Sequence, residues 1–344
     1  MLSDCYVLNL GPIHIPYTQR FIRLTLVMSL TLLIMTCIAL LQGTQSLSFG
    51  AFWQWLLSPS NLSDPNTTDL IQLRFPRIVV AIIGGAMLAL SGYLLQVSSG
   101  NPLADAGLLG ISQGTSAIIL IGSVLFQLPP TWLPFIGLIG GLLTGMFVLG
   151  LSRYISAKNG LVLIGLAVSI TLSSIIEIVM VSGNITQYTR YVTWSHGSLS
   201  AISQSDMFRL SLWAVALTMP LFFVSRVVNP LQLGSEQAAA LGSNPAKSRI
   251  LLTLYAVVLV APVISITGPI AFIGLMASHI ARRLVRGSPW EQLVITMLCG
   301  SLSLLLADIM GRILFLPLVI PAGLLLSLTG IIGFLIIARV TRKT

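Results

Sequence analysis

The chain has 344 residues and a formal net charge of +9; 55% of it is hydrophobic and only 8% charged. Its mean hydropathy is +0.96. A soluble domain carries about 25% charged residues, so a water-facing globule and a disordered chain are both excluded, and an all-α polytopic membrane protein remains. The basic residues are scattered singly between apolar runs. That is the pattern of the positive-inside rule and not of a nucleic-acid surface.

A membrane-crossing helix needs about 20 apolar residues, and ten candidate spans fit the chain. Residues 1–20 read as a cytoplasmic N-terminal segment, and 21–344 as one transmembrane domain. The first span, Phe21–Leu41, is retained, since no small-residue cleavage site accompanies it. An outer loop, 42–73, follows, with Trp53 and Trp55 expected at headgroup level. The next spans are Ile78–Val97, Leu108–Leu128, Trp132–Leu151 and Leu161–Val181. Small residues recur at helical spacing in two of them: Ala81, Gly85 and Ala89, then Gly137, Gly141 and Gly145. Such faces let helix backbones approach closely.

In the fifth span Ser169, Ser173 and Glu177 share one helical face, a polar stripe that is the candidate lining of a translocation path. The other reading of Glu177 is a carboxylate near the outer interface, solvated there. The sixth span is Leu210–Val227. After it the segment 228–247 holds Ser235, Glu236 and three alanines, stopped by Gly242. A short helix bracketed by Pro230 and Pro245 follows from this. It is either a docking handle for a cytoplasmic partner or a helix resting on the headgroups.

The last four spans are Ile250–Ile266, Ile270–Leu284, Leu293–Ile313 and Ile320–Ala338, the first two separated only by Gly268-Pro269. Asp308 and Arg312 stand one turn apart and can pair. Arg20 and Arg23 before the first span, and Arg339, Arg342 and Lys343 after the last, put both termini in the cytoplasm.

No catalytic set emerges. There is no HExxH, and His14, His196 and His279 are far apart. Cys5, Cys37 and Cys299 have neither metal-ligand nor disulfide-framework spacing, so no metal site is expected. Residues 242–248 superficially suggest a phosphate loop, but Leu241 and Ala246 stand where glycines are required. The chain is therefore not expected to bind ATP in that way or to act as an enzyme.

A series of short motifs then runs along the chain. It comprises Arg74-Phe-Pro-Arg77, Leu90-Ser-Gly92, Asn101-Pro-Leu-Ala-Asp105, Leu109-Gly-Ile-Ser112, Gly197-Ser-Leu199 and Ala240-Leu-Gly242. Gly268-Pro-Ile-Ala-Phe-Ile-Gly274, His279-Ile-Ala-Arg282, Ala307-Asp308 and Pro321-Ala-Gly323 complete it. In order and spacing it resembles the iron–siderophore/cobalamin (FecCD-type) permease family of type II ABC importers.

The resemblance implies a permease that moves a ferric siderophore or related metal chelate across the bacterial cytoplasmic membrane. Its partners would be a cytoplasmic ATPase dimer, an extracytoplasmic substrate-binding protein and a second permease subunit, identical or related. The chain would bind no cofactor; ATP would be used by the partner. Arg74, Arg77 and Arg312 match arginines that face acidic residues of the binding protein, where the alternative is that they anchor helix ends. Glu236, Ala239, Leu241 and Gly242 match the element that couples to the ATPase. Ser278 departs from the family pattern, which has proline there, and a softened helix bend is expected. An ion-coupled secondary transporter is the competing reading, with Glu177 as its candidate ionisable site.

Overall fold

A computed structural model of the chain describes residues 5–10, 13–42, 50, 53, 65–129, 131–152, 160–181, 185–218, 220–285, 287–315 and 318–341. Trp55, Arg342 and Lys343 of the readings above lie outside these residues.

The chain opens with an antiparallel hairpin of β1 (Cys5–Leu10) and β2 (Ile13–Thr18). Among the described residues the other elements are helices. The helices are α1 (Gln19–Leu41), α2 (Pro65–Ser99), α3 (Ile111–Val124), α4 (Leu133–Ser152), α5 (Gly160–Val181), α6 (Ile185–Ser195) and α7 (Gln204–Thr218). Then come α8 (Leu221–Gln232), α9 (Ser235–Ala240), α10 (Pro245–Thr267), α11 (Ile273–Leu284), α12 (Pro289–Ile313) and α13 (Ala322–Thr341).

The α2 helix is the axis of the bundle, packed against α10, α11 and α12. Its apolar stretch is 78% buried, whereas that of α1 is only 11% buried. Leu26, Val27, Leu30 and Leu33 of α1 lie bare on the outside. A row of that kind is stable against lipid or another helix and not against water. The expected small-residue faces hold. Ala81 and Ala89 are fully buried, and a Cβ on Gly85 would collide with the carbonyl of Gly300 in α12. On α4, a Cβ on Gly137 would sit 2.8 Å from Ile119 of α3.

Each of the ten expected spans has a helical counterpart, with corrections. Residues 65–73, read as outer loop, are the first turns of α2. Polar residues there lowered the hydropathy without stopping the helix, which also continues through Pro76. The span Leu210–Val227 is broken: α7 and α8 meet at 61° next to Pro220, whose ring cannot continue the α7 ladder. The Leu108–Leu128 span shrinks to the 14 residues of α3, because Gly110 adopts φ +76 and turns the chain. The Ile270–Leu284 span shrinks to the 12 residues of α11, and neither helix is long enough to cross alone. Helix α6 and the N-terminal hairpin were not expected. Segment 228–247 is helical at both ends, belonging to α8 and α10. The helix α11 runs unbroken through Ser278.

Candidate functional site

Three places carry chemistry. The first is a cavity of about 440 Å³ against α5, whose wall includes Ser169, Ser173 and Glu177. The polar stripe therefore faces one space. Asp105, Gly107 and Gln113, with the adjoining Ala271 and Phe272, also line it. A neighbouring cavity of about 500 Å³ shares Gln113, Ser173 and Glu177 and continues to Ser116, Tyr191 and His196. The stripe is not uniform. Ser169 is buried, its hydroxyl donating to the Gly107 carbonyl at 3.0 Å, while Glu177 is exposed at the wall.

Asp105 and the 268–272 break were quoted above only as motif residues. The break supplies non-helical backbone to the cavity wall, starting at Gly268 with φ +76 and ending at Phe272 with φ +68. The Gly-Pro pair was the signal that could have found it. Asp105 accepts backbone hydrogen bonds from Gly107, Phe272 and Ala106. Burial pushes its carboxyl above the ordinary carboxylate range, and those N–H groups partly offset the shift.

The second place is the end of the bundle where α1 stops. Arg74, Arg77 and Arg312 do come together there, but facing inward. Arg74 donates to the carbonyls of Leu40 at 2.7 Å and Leu41 at 3.4 Å. Arg312 reaches the Ala39 carbonyl at 3.4 Å. Both side chains thus cap the last turn of α1, where carbonyls lack helical partners and the helix dipole favours a cation. Arg77 binds Asp308 through Nη2 at 2.6 Å and Nε at 2.8 Å. Arg312 Nε stands 3.1 Å from the other Asp308 oxygen, close enough for an ion pair but not aligned as a hydrogen bond. The expected Asp308–Arg312 pair exists, and Arg77 joins it. Arg77 keeps 14% of its side chain exposed and Asp308 none, so Arg74 and Arg312 hold the end of α1 while Arg77 ties α2 to α12.

The third place is α9, at the opposite end. Its six residues project from the bundle with only Ala238 buried. Glu236, Ala239, Leu241 and Gly242 are all exposed, and Leu233 and Leu241 present bare apolar side chains on either side of the helix. The element is nonetheless held firmly. Gly242, at φ +78, ends it with two reciprocal bonds, Gly242 N to Ala239 O at 2.9 Å and Ser243 N to Ala238 O at 3.1 Å. Asn244 caps α10 through the Lys247 N–H at 3.1 Å. A rigid knob with an apolar tip is suited to a socket on another protein. Among the described residues no cluster of three or more metal-ligating side chains is present.

Comparison with known proteins agrees with this architecture. The FecCD transport family matches residues 31–340. Permeases of Staphylococcus aureus named "Probable heme-iron transport system permease protein IsdF", from strains bovine RF122 / ET3-1 and Newman, are each 33% identical over 307 residues. The match covers 88% of this chain and 91% of theirs. Among solved structures, one described as "An inward-facing conformation of a putative metal-chelate type ABC transporter" superposes with a TM-score of 0.78 at 26% identity. It covers 93% of this chain and 99% of its own. PsaBC from Streptococcus pneumoniae, in complex with Fab, has a TM-score of 0.53 at 15% identity, covering 83% of this chain and 94% of its own, a likeness of fold alone.

Proposed function

The chain belongs to the FecCD transport family, and from that premise we propose that it forms half of the membrane pore of an ABC importer for a ferric siderophore. The observation that carries this is likeness to importer permeases from residue 31 to residue 340. Haem is the second reading for the cargo, favoured by the name of the S. aureus relatives.

The α9 end faces the cytoplasm, as do both termini. Arg282 and Arg283 of α11 and Lys247 and Arg249 of α10 gather towards that end, in keeping with the positive-inside rule. The knob of Glu236, Ala239, Leu241 and Gly242 seats in a separate ATPase dimer, which binds and hydrolyses ATP. The chain itself carries no cofactor and catalyses no reaction. The arginine-rich end faces outward. The rim that Arg74, Arg77 and Arg312 hold in place receives the extracytoplasmic binding protein, and Arg77, with its partly exposed edge, makes the nearest contact. A second permease subunit closes the path. The cavity along Ser169, Ser173 and Glu177 lies beside bare apolar residues such as Ile170, and such a wall is half a channel. Hydroxyls and the exposed Glu177 carboxylate there give passing contacts to a polar chelate without a tight internal site.

Replacing residues 236–242 by a Gly/Ser linker tests the coupling role. The variant is expected to insert and fold, to lose co-purification with the ATPase, and to lose uptake. Retained ATPase association would contradict the assignment.

A further inference from the structure

Helix α11 is short, and its two ends stand at two functional places. The residues just before it, Ala271 and Phe272, line the cavity along α5. That end is pinned by Asp105, which accepts the Phe272 N–H. One residue into the helix, α11 crosses α2 with no side chain between them, since a Cβ on Gly92 would collide with the backbone of Gly274. The far end of α11 carries Ser278 and Arg282, and both reach Gln96 of α2. Ser278 Oγ lies 2.8 Å from Gln96 Oε1, and Arg282 Nη2 donates to the same oxygen. Arg282 also lies over the ring of Tyr93, 5.6 Å from its centroid.

Tyr93 continues the chain of contacts. Its hydroxyl donates to Gln292 Oε1 of α12 at 2.9 Å and accepts from Gln232 Nε2 of α8 at 2.6 Å. Gln232 Nε2 also reaches Gln292 Oε1 at 3.0 Å. Tyr93 and Ser278 are fully buried, and Gln96 and Gln292 nearly so. Gln232 is the last residue of α8, and α9 begins at Ser235. Two hydrogen-bonded groups, joined by the contact of Arg282 with the Tyr93 ring, therefore lead from the root of the cytoplasmic knob across the adjoining ends of α2 and α12 to the helix whose other end borders the cavity. Polar groups at such depth are expensive to leave unpaired. A displacement of Gln232 thus takes one partner from Tyr93 and one from Gln292, and Gln96, three residues on from Tyr93 in α2, holds Ser278 and Arg282 of α11.

We propose that α11 is the arm that carries the state of the ATPase to the translocation path, with Tyr93, Gln96 and Gln292 as the positioning residues that tie it to the root of α9. This rests on the importer reading above. Ser278, the departure from the family pattern, has its place here: its hydroxyl gives α11 a second tie to Gln96 that a proline would lack.

The test uses the whole complex in liposomes, with the ATPase and binding protein, and ferric haem and a ferric hydroxamate chelate as separate probes. Tyr93→Phe removes the hydroxyl and leaves the ring beneath Arg282; Gln292→Leu is the second variant, should the first fail to fold. Both are expected to assemble with the ATPase and to melt as the unaltered complex does. Iron moved per ATP hydrolysed is expected to fall at least about fivefold, the lower end of ordinary site-to-site coupling. The double variant is expected to be no worse than the more affected single variant. An unchanged ratio in a well-assembled variant, or a loss that merely follows lost assembly, would overturn the proposal. An unaltered complex that moves iron without hydrolysis would remove the importer reading itself, and the proposal with it.

Discussion

Asp308 has to neutralise two guanidinium groups in a place almost shut off from solvent. It is wholly buried, with Arg77 on one oxygen and Arg312 near the other. Removing one member of such a group strands charge, and breaking a buried ion pair costs about 3–5 kcal/mol. Asp308→Asn is therefore expected to lower thermal stability in detergent by about that amount, with the loss measurable by following unfolding of the purified chain. An unchanged melting temperature would mean that the arginines have other anions. Arg74 and Arg77 were conspicuous in the sequence as the two ends of the Arg74-Phe-Pro-Arg77 motif. The pairing with Asp308 was only half legible, because Asp308 and Arg312 share a helix whereas Arg77 is 231 positions from Asp308. That Arg74 caps α1 was not legible at all, since a helix end advertises no partner for its carbonyls.

At the scale of elements, apolar runs located the spans because lipid leaves a helix no other way to satisfy its backbone. What the runs concealed was interruption. Hydropathy continues across Pro220 and across Gly268-Pro269, so the α7–α8 bend and the shortening of α11 left little trace in a window average. Helix α6 was missed for the opposite reason: Ile185–Ser195 mixes Thr, Tyr, Gln and Arg with few apolar residues. The small-residue faces were readable, and they make a paired prediction. Gly85→Ala drives a methyl into the Gly300 carbonyl of α12; overpacking of that sort costs about 1–3 kcal/mol. Gly145→Ala on α4 meets Val257 at 3.4 Å and Ile111 at 3.9 Å, both ordinary contacts, and gains helix propensity, so it is expected to be neutral or stabilising. Thermal melts of the two variants decide the matter. Equal effects would mean that the α2–α12 contact is looser than its geometry implies.

At the scale of the molecule, the chain is a bundle with a buried central helix, an apolar exterior and a cavity along α5. The polar stripe of α5 was legible because Ser169, Ser173 and Glu177 repeat at helical spacing. The rest of the wall was not, since it is assembled from the 105–113 turn, the 268–272 break and α6, which are distant in sequence. On the proposed reading the energy source lies in a partner, and α9 is the contact through which it is borrowed. Uptake by proteoliposomes containing the permease, with and without its ATPase and with an ion gradient imposed, tests this most directly. The account predicts that a ferric chelate delivered by the binding protein accumulates only when the ATPase and ATP are both present. Accumulation driven by the gradient alone, with the ATPase absent, would contradict it.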